Sequence, residues 1–204
     1  TFDMLSRPDA SPAQLRQALH PQCSLEALVC FDIGQGSATA LVCRCGLPIY
    51  YFDTGRGSGR NAPTAPARVD FCTCSSPTVI LSHWDTDHWA GAVGHNGLQG
   101  QTWIVPRQAI SSTRTIFAND ILRSGGQILV VGHNAPALIW SNSRQHYDLR
   151  RGTGRGRNGT GLGLIVTDKP SGRAWVLSGD ASYDELPHPV PVDTAAMVVP
   201  HHGA

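Results

Sequence analysis

The segment Leu81-Ser82-His83-Trp84-Asp85-Thr86-Asp87-His88 dominates this sequence, because it carries four metal-ligand side chains within six positions. Its first residue, Leu81, ends the apolar run 79–81. Side chains within a strand alternate between two faces, whereas a loop after a strand can aim several side chains at one point. Imidazole and carboxylate groups at this density suit zinc, with manganese or iron as alternatives. A polar loop in which the two aspartates only cap a helix leaves the two histidines unexplained.

Two more apolar runs end in residues of the same kind. Run 175–177 leads through Ser178 and Gly179 into Asp180, and run 197–199 leads through Pro200 into His201 and His202. Each signal is weak alone, because a Gly-Asp pair usually marks a turn and a single histidine usually lies at the surface. Three strands that end in His or Asp at one edge together predict a metal site built from distant parts of the chain.

The rest of the pattern predicts an α+β fold in which strands outnumber helices. Of the 204 residues, 41% are hydrophobic and 15% charged, and the net charge is +1. This composition excludes a disordered chain, a collagen and a coiled coil, and it provides no overall field for nucleic acid or membranes. We expect helices at 12–19 and 109–123, a loop over 141–161, and strands at 25–33, 38–45, 48–52, 79–82, 104–105, 127–131, 162–167, 174–177 and 195–199.

The chain termini and the cysteines bear on location. No apolar run approaches the roughly 20 residues of a membrane span, and the start lacks a signal-peptide pattern. The six cysteines at 23, 30, 43, 45, 72 and 74 are expected to be reduced thiols in the core, with a zinc site at 43, 45, 72 and 74 as the alternative. Both observations favour the cytoplasm. The chain stops just after a predicted strand, so we expect it to be part of a longer protein.

Several ordered motifs resemble the metallo-β-lactamase fold, whose pattern is His-x-His-x-Asp-His with a later Gly-Asp and a last His. Here Asp85 replaces the second histidine, a variant that is similar to the ComEC branch, the hydrolase-like domain attached to bacterial DNA-uptake channels. The segments 31–38, 51–55, 158–164 and 199–203 resemble that branch in the same order. The resemblance implies an αββα sandwich over residues 25–204, incomplete at its C-terminal end, preceded by a helical extension at 1–24.

The resemblance also implies roles for individual residues. Two divalent metal ions are expected, zinc first and manganese second. One is held by His83 and Asp85, the other by Asp87, His88 and His201, and Asp180 bridges both. Catalytic roles fall to Asp87 and to His202, the latter as proton donor or as a support for the ligands. Asn158 completes the ligand set or contacts substrate. Asp53 is expected to brace the ligand loop through hydrogen bonds.

The substrate is inferred from the arginine-rich segment 144–157. Arg150, Arg151, Arg155 and Arg157 can bind phosphate in bidentate fashion, so the protein is expected to hydrolyse phosphodiesters of nucleic acid or nucleotides with a metal-bridged hydroxide. A merely solvated arginine loop is an equal alternative. Trp84 and Trp89 are expected to pack in the core rather than to stack on bases.

Two other functions stay open at this stage. One is hydrolysis of an amide, lactam or thioester at the same metals, because one fold hosts many chemistries. The other is a metal-stabilised interaction module without catalysis, part of a larger assembly that it contacts through its termini.

Overall fold

The computed structural model describes residues 2–20, 23–188, 191 and 193–200. Within these residues the chain forms two β-sheets, four α-helices and four short 3₁₀ helices, which confirms the α+β class. The helices are α1 (Pro12–Ala18), α2 (Asn96–Gln99), α3 (Ser112–Arg123) and α4 (Gly156–Gly159). The strands are β1 (Leu25–Cys30), β2 (Ala38–Cys43), β3 (Pro48–Thr54), β4 (Thr78–Ile80), β5 (Thr102–Pro106), β6 (Gln127–Val131), β7 (Leu138–Ser141), β8 (Gln145–Arg151), β9 (Leu162–Asp168), β10 (Ala174–Leu177) and β11 (Thr194–Met197).

The first sheet has the strand order β1-β2-β3-β4-β5-β6, and the second has the order β11-β10-β9-β8-β7. In the first sheet β1, β2 and β3 are antiparallel, whereas β3 to β6 run parallel. In the second sheet only the β10–β11 pair is parallel. The carboxyl ends of the parallel strands meet at one edge of the first sheet, and β3 and β4 deliver the ligand loop there.

Strand β3 shows why the sheets stack. Tyr50 and Phe52 belong to the core between the two sheets, whereas Tyr51 belongs to the core beneath α3. This alternation with a period of two places apolar side chains on both faces of the strand. In the second sheet, Leu164 and Val166 of β9 face the shared core. Each fully buried side chain of this size contributes about 1.5–3 kcal/mol, so this packing stabilises the sheet edge that carries the ligand loop.

Helix α1 begins as its sequence predicts. Ser11 caps it through a capping box with Gln14, and Pro12 occupies the first turn. Leu15 and Leu19 then pack into the core between the sheets. The longest helix, α3, starts at Ser112 and has 12 residues. None of the helices in the described part of the chain has the length and apolar character that crossing a bilayer requires.

The prediction of a loop over 141–161 is wrong for its first half. Residues Gln145–Arg151 form β8, which pairs with β7 on one side and β9 on the other. Tyr147 and Leu149 are buried in the core between the sheets. Their alternation with polar residues is a strand pattern, which the density of arginine and glycine around it obscured.

The prediction of reduced core thiols is correct only in part, since four cysteines are free thiols but none of these four is buried. Cys43 and Cys45 form a disulfide, and of the six cysteines Cys43 alone is buried. Cys30, Cys72 and Cys74 are exposed free thiols, because the strand ends and loops that carry them face solvent. The cytoplasmic location stays a prediction, and the cysteines no longer support it.

Candidate metal centre

Three chain segments meet at the edge of the first sheet where β3 and β4 end. Ser82 and His83 follow β4 and are buried. Asp53 lies at the end of β3, and Asp180 follows β10 of the second sheet after the turn at Gly179. The backbone passes so close that a Cβ on Gly179 would lie 2.5 Å from the Ser82 Cβ. The tight packing of these strand ends brings the candidate ligands together.

Asp53 braces the ligand loop, as the sequence predicts. Its Oδ1 accepts a hydrogen bond from the Ser82 amide (2.6 Å), and its Oδ2 accepts one from the Ser82 hydroxyl (2.7 Å). The same Oδ2 lies 2.8 Å from Nδ1 of His88. Asp53 is fully buried and has a φ of 60°, a conformation that aspartate adopts more readily than most residues. A carboxylate on Nδ1 fixes the ring so that Nε2 is the atom presented to a metal.

The structure brings His83, His88 and Asp180 together, with ligand atoms within 4.8 Å of one another. Asp180 places Oδ1 3.2 Å from His88 Nε2 and Oδ2 3.8 Å from His83 Nε2. His83 Nε2 is buried and has no hydrogen-bond partner among the described residues. A buried imidazole nitrogen without a partner is costly unless it binds a metal ion. The donor set of two imidazoles and one carboxylate therefore fits a divalent ion.

The charges at His88 show that this centre attracts a cation. Burial by itself would lower the pKa of His88, but the carboxylates of Asp53 and Asp180 outweigh it and raise the pKa to about 10. Without a metal the ring therefore holds a proton between two carboxylates. A divalent ion would place positive charge at the same position, and its binding would displace that proton.

Asp85 contacts two arginines in addition to the candidate metal ligand His83. Its Oδ2 lies 3.5 Å from His83 Nε2, facing the cluster. Its Oδ1 accepts hydrogen bonds from Nη2 of Arg114 (2.9 Å) and from Nε of Arg157 (2.6 Å). The neighbouring imidazole of His83 and the guanidinium of Arg157 hold the pKa of Asp85 well below its usual range, against the effect of burial. Two guanidinium groups are thereby fixed beside the candidate metal ligands.

The other described candidates, Asp87 and Asn158, lie on two short helical turns. Asp87 lies with His88 on the short 3₁₀ turn Thr86–His88, and its carbonyl accepts the Ser37 amide at 3.1 Å. Asn158 lies on α4, four residues before Leu162, whose amide donates to the Ser82 carbonyl. The predictions for His201 and His202 fall outside the described residues.

The guanidinium groups of Arg150 and Arg151 form hydrogen bonds with other residues of this chain. Arg150 forms a bidentate pair with Asp148 at 2.8 Å and also donates to the Pro187 carbonyl. Arg151 is buried and donates to the carbonyls of Arg107, Val131 and Thr160. Their strand positions impose these contacts, and they do not support the predicted substrate-binding role of these two arginines. Arg155 and Arg157 are exposed at the start of α4, in the half of the segment that is not strand.

Two further residues lie beside the candidate metal centre, Arg114 and Gln108, and neither was predicted from the sequence. Arg114 on α3 donates to the Trp84 carbonyl as well as to Asp85. Gln108 is buried; its Oε1 accepts the Trp84 amide, and its Nε2 donates to the carbonyl of Arg157. Neither has a sequence signal, because each is an isolated polar residue outside any motif. Trp84 and Trp89 are buried, as expected, so neither is available to stack on a base.

An opening leads to the cluster from the side of the β1–β2 turn. A cavity of about 230 Å³ is lined by Asp180, by Gly36 and Ser37 of that turn, and by Val198 after β11. The carboxylate of Asp180 is 9% exposed, whereas the imidazoles of His83 and His88 are at most 1% exposed. Asp180 is therefore the member of the cluster that solvent reaches most readily.

Solved structures with a similar arrangement of the chain include three proteins. Human tRNase Z, short form, has 15% identity and a TM-score of 0.44, over 76% of this chain and 69% of the other. Zn²⁺-bound PqqB from Methylobacterium extorquens has 11% identity and a TM-score of 0.38, over 88% and 62%. A Cronobacter sakazakii metallo-β-lactamase with a HARLDQ motif has 16% identity and a TM-score of 0.42, over 94% and 71%.

These likenesses concern only the general path of the chain, and the substrates of those proteins say nothing about this one. Neither a protein-family model nor a curated protein sequence matches the chain.

Proposed function

We propose that this protein is a metal-dependent hydrolase of phosphodiesters with a metallo-β-lactamase type of fold, acting on nucleic acid or nucleotides. One observation carries the proposal. Arg114 and Arg157 converge on Oδ1 of Asp85, whose other oxygen faces the buried Nε2 of His83. Guanidinium groups are the side chains best suited to the planar, bidentate recognition of phosphate. Their position at the edge of the ligand cluster supports an anionic substrate there.

The proposed ligands are His83, His88 and Asp180, extended by Asp85, Asp87 and His201 as the sequence predicts. An ion bound there, zinc or manganese, would polarise the phosphoryl oxygen and lower the pKa of water for attack. The mixture of imidazole and carboxylate suits both metals. We take two ions per chain as the expected number.

The protein's own groups prepare the site in three ways. Asp53 accepts a hydrogen bond from Nδ1–H of His88 and so directs Nε2 toward Asp180. Asp85 directs one carboxylate oxygen toward His83 and the other toward the two arginines. Arg114 and Arg157 hold substrate oxygens when the substrate displaces them from Asp85. His202 is proposed to return a proton to the leaving group, and Asn158 to contact the phosphate.

The arginine pair also argues against a neutral substrate. The scissile lactam or thioester bond is neutral, whereas each phosphodiester linkage carries one negative charge at the reacting group itself. Because only two arginines are proposed to contact the substrate, we expect the affinity for phosphodiesters to fall moderately as the salt concentration rises.

The proposal is tested with metal-loaded protein and a panel of substrates. We expect about two metal ions per chain by mass spectrometry, together with hydrolysis of bis(p-nitrophenyl) phosphate and of a single-stranded oligonucleotide. Asp180→Ala should abolish both activities and retain the circular dichroism spectrum of the wild type. Asp184→Ala, a change in the neighbouring 3₁₀ turn, is the control and should keep full activity.

Three outcomes would contradict the proposal. Turnover of a lactam or an aryl thioester with no phosphodiester activity would favour the alternative hydrolase. Bound metal with no hydrolysis of any of these classes would favour the interaction module. Full activity of the folded Asp180→Ala variant would exclude the assigned centre.

A further inference from the structure

A second cluster of reactive side chains lies at the far end of β3 from the metal centre. The sulfur atoms of Cys23, Cys43 and Cys45 lie within 4.8 Å of one another. Cys43 and Cys45 are joined in a disulfide, whereas Cys23 is a free thiol. Strand β3 starts just after these cysteines and reaches Asp53 at its other end, a distance of roughly 20 Å along an extended strand. The cluster is therefore independent of the proposed hydrolase site.

Strand register explains why the third sulfur is there. Leu25 of β1 pairs with Cys43 of β2, and the Arg44 amide donates to the Ser24 carbonyl at 3.1 Å. Continuing this antiparallel pairing by one residue beyond Ser24 and Arg44 would place Cys23 opposite Cys45, in agreement with the proximity of their sulfur atoms. Facing residues in such a pair have Cβ atoms about 4.5–5.5 Å apart, a separation that small side chains bridge by direct contact.

The observed disulfide is a poor structural cross-link. It joins residues two apart, with a Cα–Cα distance of 5.3 Å, so it closes only a tiny loop. Closing a small loop removes little conformational entropy from the unfolded chain, and the stabilisation is correspondingly small. A disulfide between Cys23 and Cys45 would close a loop more than seven times longer and would join two separate segments.

We propose that Cys23, Cys43 and Cys45 form a thiol–disulfide exchange site. The Cys23 thiol loses its proton to solvent, and its thiolate attacks Sγ of Cys45. The Cys23–Cys45 bond forms as the Cys45–Cys43 bond breaks, and Cys43 leaves as a thiolate that takes up a proton. One disulfide and one thiol are present before and after, so the step needs no external oxidant.

Access and burial suit these assigned roles. Cys45 is exposed and Cys23 is half-buried, so the attacked sulfur and its attacker can meet at the surface. Cys43 is 2% exposed, so it is the partner least available to any thiol from outside. A cavity of about 780 Å³ is lined by all three cysteines together with Gln14, Gln17 and His20 of the α1 region. The exchange ties the chain after α1 covalently to the β2–β3 turn and so links two walls of this cavity.

The sequence allows the two disulfides to be told apart. Glutamate occurs only at 26 and 185, and cleavage after Arg16, Glu26, Arg44 and Arg56 places the three cysteines on peptides 17–26, 27–44 and 45–56. The full chain is treated with oxidised glutathione, quenched in acid, alkylated and digested without reduction. We expect two cross-linked products, 27–44 with 45–56 and 17–26 with 45–56. The variant Cys43→Ala should give only the second product, and Cys23→Ala only the first.

Two controls guard against misreading. Peptide 27–44 also carries Cys30, so Cys30→Ser must leave the pattern unchanged. Circular dichroism confirms that each variant folds, and the wild-type product pattern tests the proposal even if one does not. The proposal is overturned if folded wild-type protein yields only the 27–44 with 45–56 product. It is equally overturned if Cys23 and Cys45 stay fully alkylatable in folded Cys43→Ala.

Discussion

Oδ2 of Asp53 lies 2.8 Å from Nδ1 of His88, and both side chains are completely buried. The same carboxylate accepts hydrogen bonds from the amide and the hydroxyl of Ser82, one residue before His83. A single residue at the end of β3 thus holds both imidazole-bearing segments of the ligand loop. This arrangement resembles a metal site in which the carboxylate sets the ring orientation before any ion binds.

Replacing Asp53 should weaken both metal binding and the fold. We expect Asp53→Asn to lower zinc affinity by about 10- to 100-fold, because the amide no longer orients His88 with a negative charge. Asp53→Ala should lower the free energy of unfolding by about 3–5 kcal/mol, because buried hydrogen-bonding partners are left behind. Competition with a zinc chelator and urea unfolding measure the two effects. Asp70→Asn, at an exposed ion pair with Arg68, is the control; equal zinc affinity in Asp53→Asn and wild type would contradict the bracing role.

Replacing the arginines beside Asp85 should impair substrate binding. We expect Arg157→Gln and Arg114→Gln each to raise KM for a phosphodiester about tenfold or more, since a hydrogen bond between charged groups is worth about 1.5–3 kcal/mol. Steady-state kinetics at several salt concentrations measure the change, and the slope against salt should flatten. Arg150→Gln is the matched control, because Arg150 pairs with Asp148 instead. If all three variants keep the wild-type KM, the arginine pair has no part in binding.

Adding a methyl group at Gly55 should displace the 3₁₀ turn that carries Asp87 and His88. An added Cβ would lie 1.7 Å from the Asp87 carbonyl oxygen, so the turn that carries His88 has to move. Gly55→Ala should therefore lower zinc affinity and cost about 1–3 kcal/mol in stability, as other overpacked sites do. Gly94→Ala is the control: φ is +74° there, and the added methyl meets nothing within 4 Å, so only backbone strain is expected. Unchanged zinc binding in Gly55→Ala would show that the turn adapts freely.

Tyr147 should contribute to loss of stability at alkaline pH. Burial raises the pKa of Tyr147 far above the usual value of 10, so the folded protein keeps its phenolic proton where the unfolded chain loses it. The unfolded state then binds fewer protons, and the free energy of unfolding falls as pH rises above 10, by about 1.4 kcal/mol at pH 11. Tyr147→Phe removes the contribution of this residue at small cost, because the hydroxyl has no hydrogen-bond partner among the described residues.

Urea midpoints of wild type and Tyr147→Phe between pH 8 and 11 test this prediction. The difference between the two proteins should stay constant up to pH 9.5 and then change in favour of the variant. Parallel curves over the whole range would mean that Tyr147 ionises equally in both states.

The arginine-rich segment shows the limit of reasoning from sequence alone. Its composition predicted a loop with four phosphate-binding arginines, yet β8 takes Arg150 and Arg151 into a sheet. Arg151 is buried against three backbone carbonyls that lie 9, 20 and 44 residues away along the chain. Residues 145–151 do alternate with a period of two. Whether they form a strand or a loop depends on pairing with β7 and β9, which the local sequence does not show.

The sequence by itself determined the α+β class, most of the strands and the ligand-rich loop after β4. These features depend on periodicity and on residues adjacent in the chain, so they can be recognised without a structure. The bracing role of Asp53 followed from the resemblance of segment 51–55 to a known family. Helix α1 likewise followed from Ser11 and Pro12, whose capping roles are local.

Only the tertiary structure decided which groups surround the ligands. Arg114 and Arg157 reach Asp85 from positions 29 and 72 residues away, on α3 and at α4. Cys23 meets the Cys43–Cys45 pair because β1 folds back along β2. Such contacts depend on how whole elements pack and register, and packing brings together residues whose separation in sequence carries no signal of their contact.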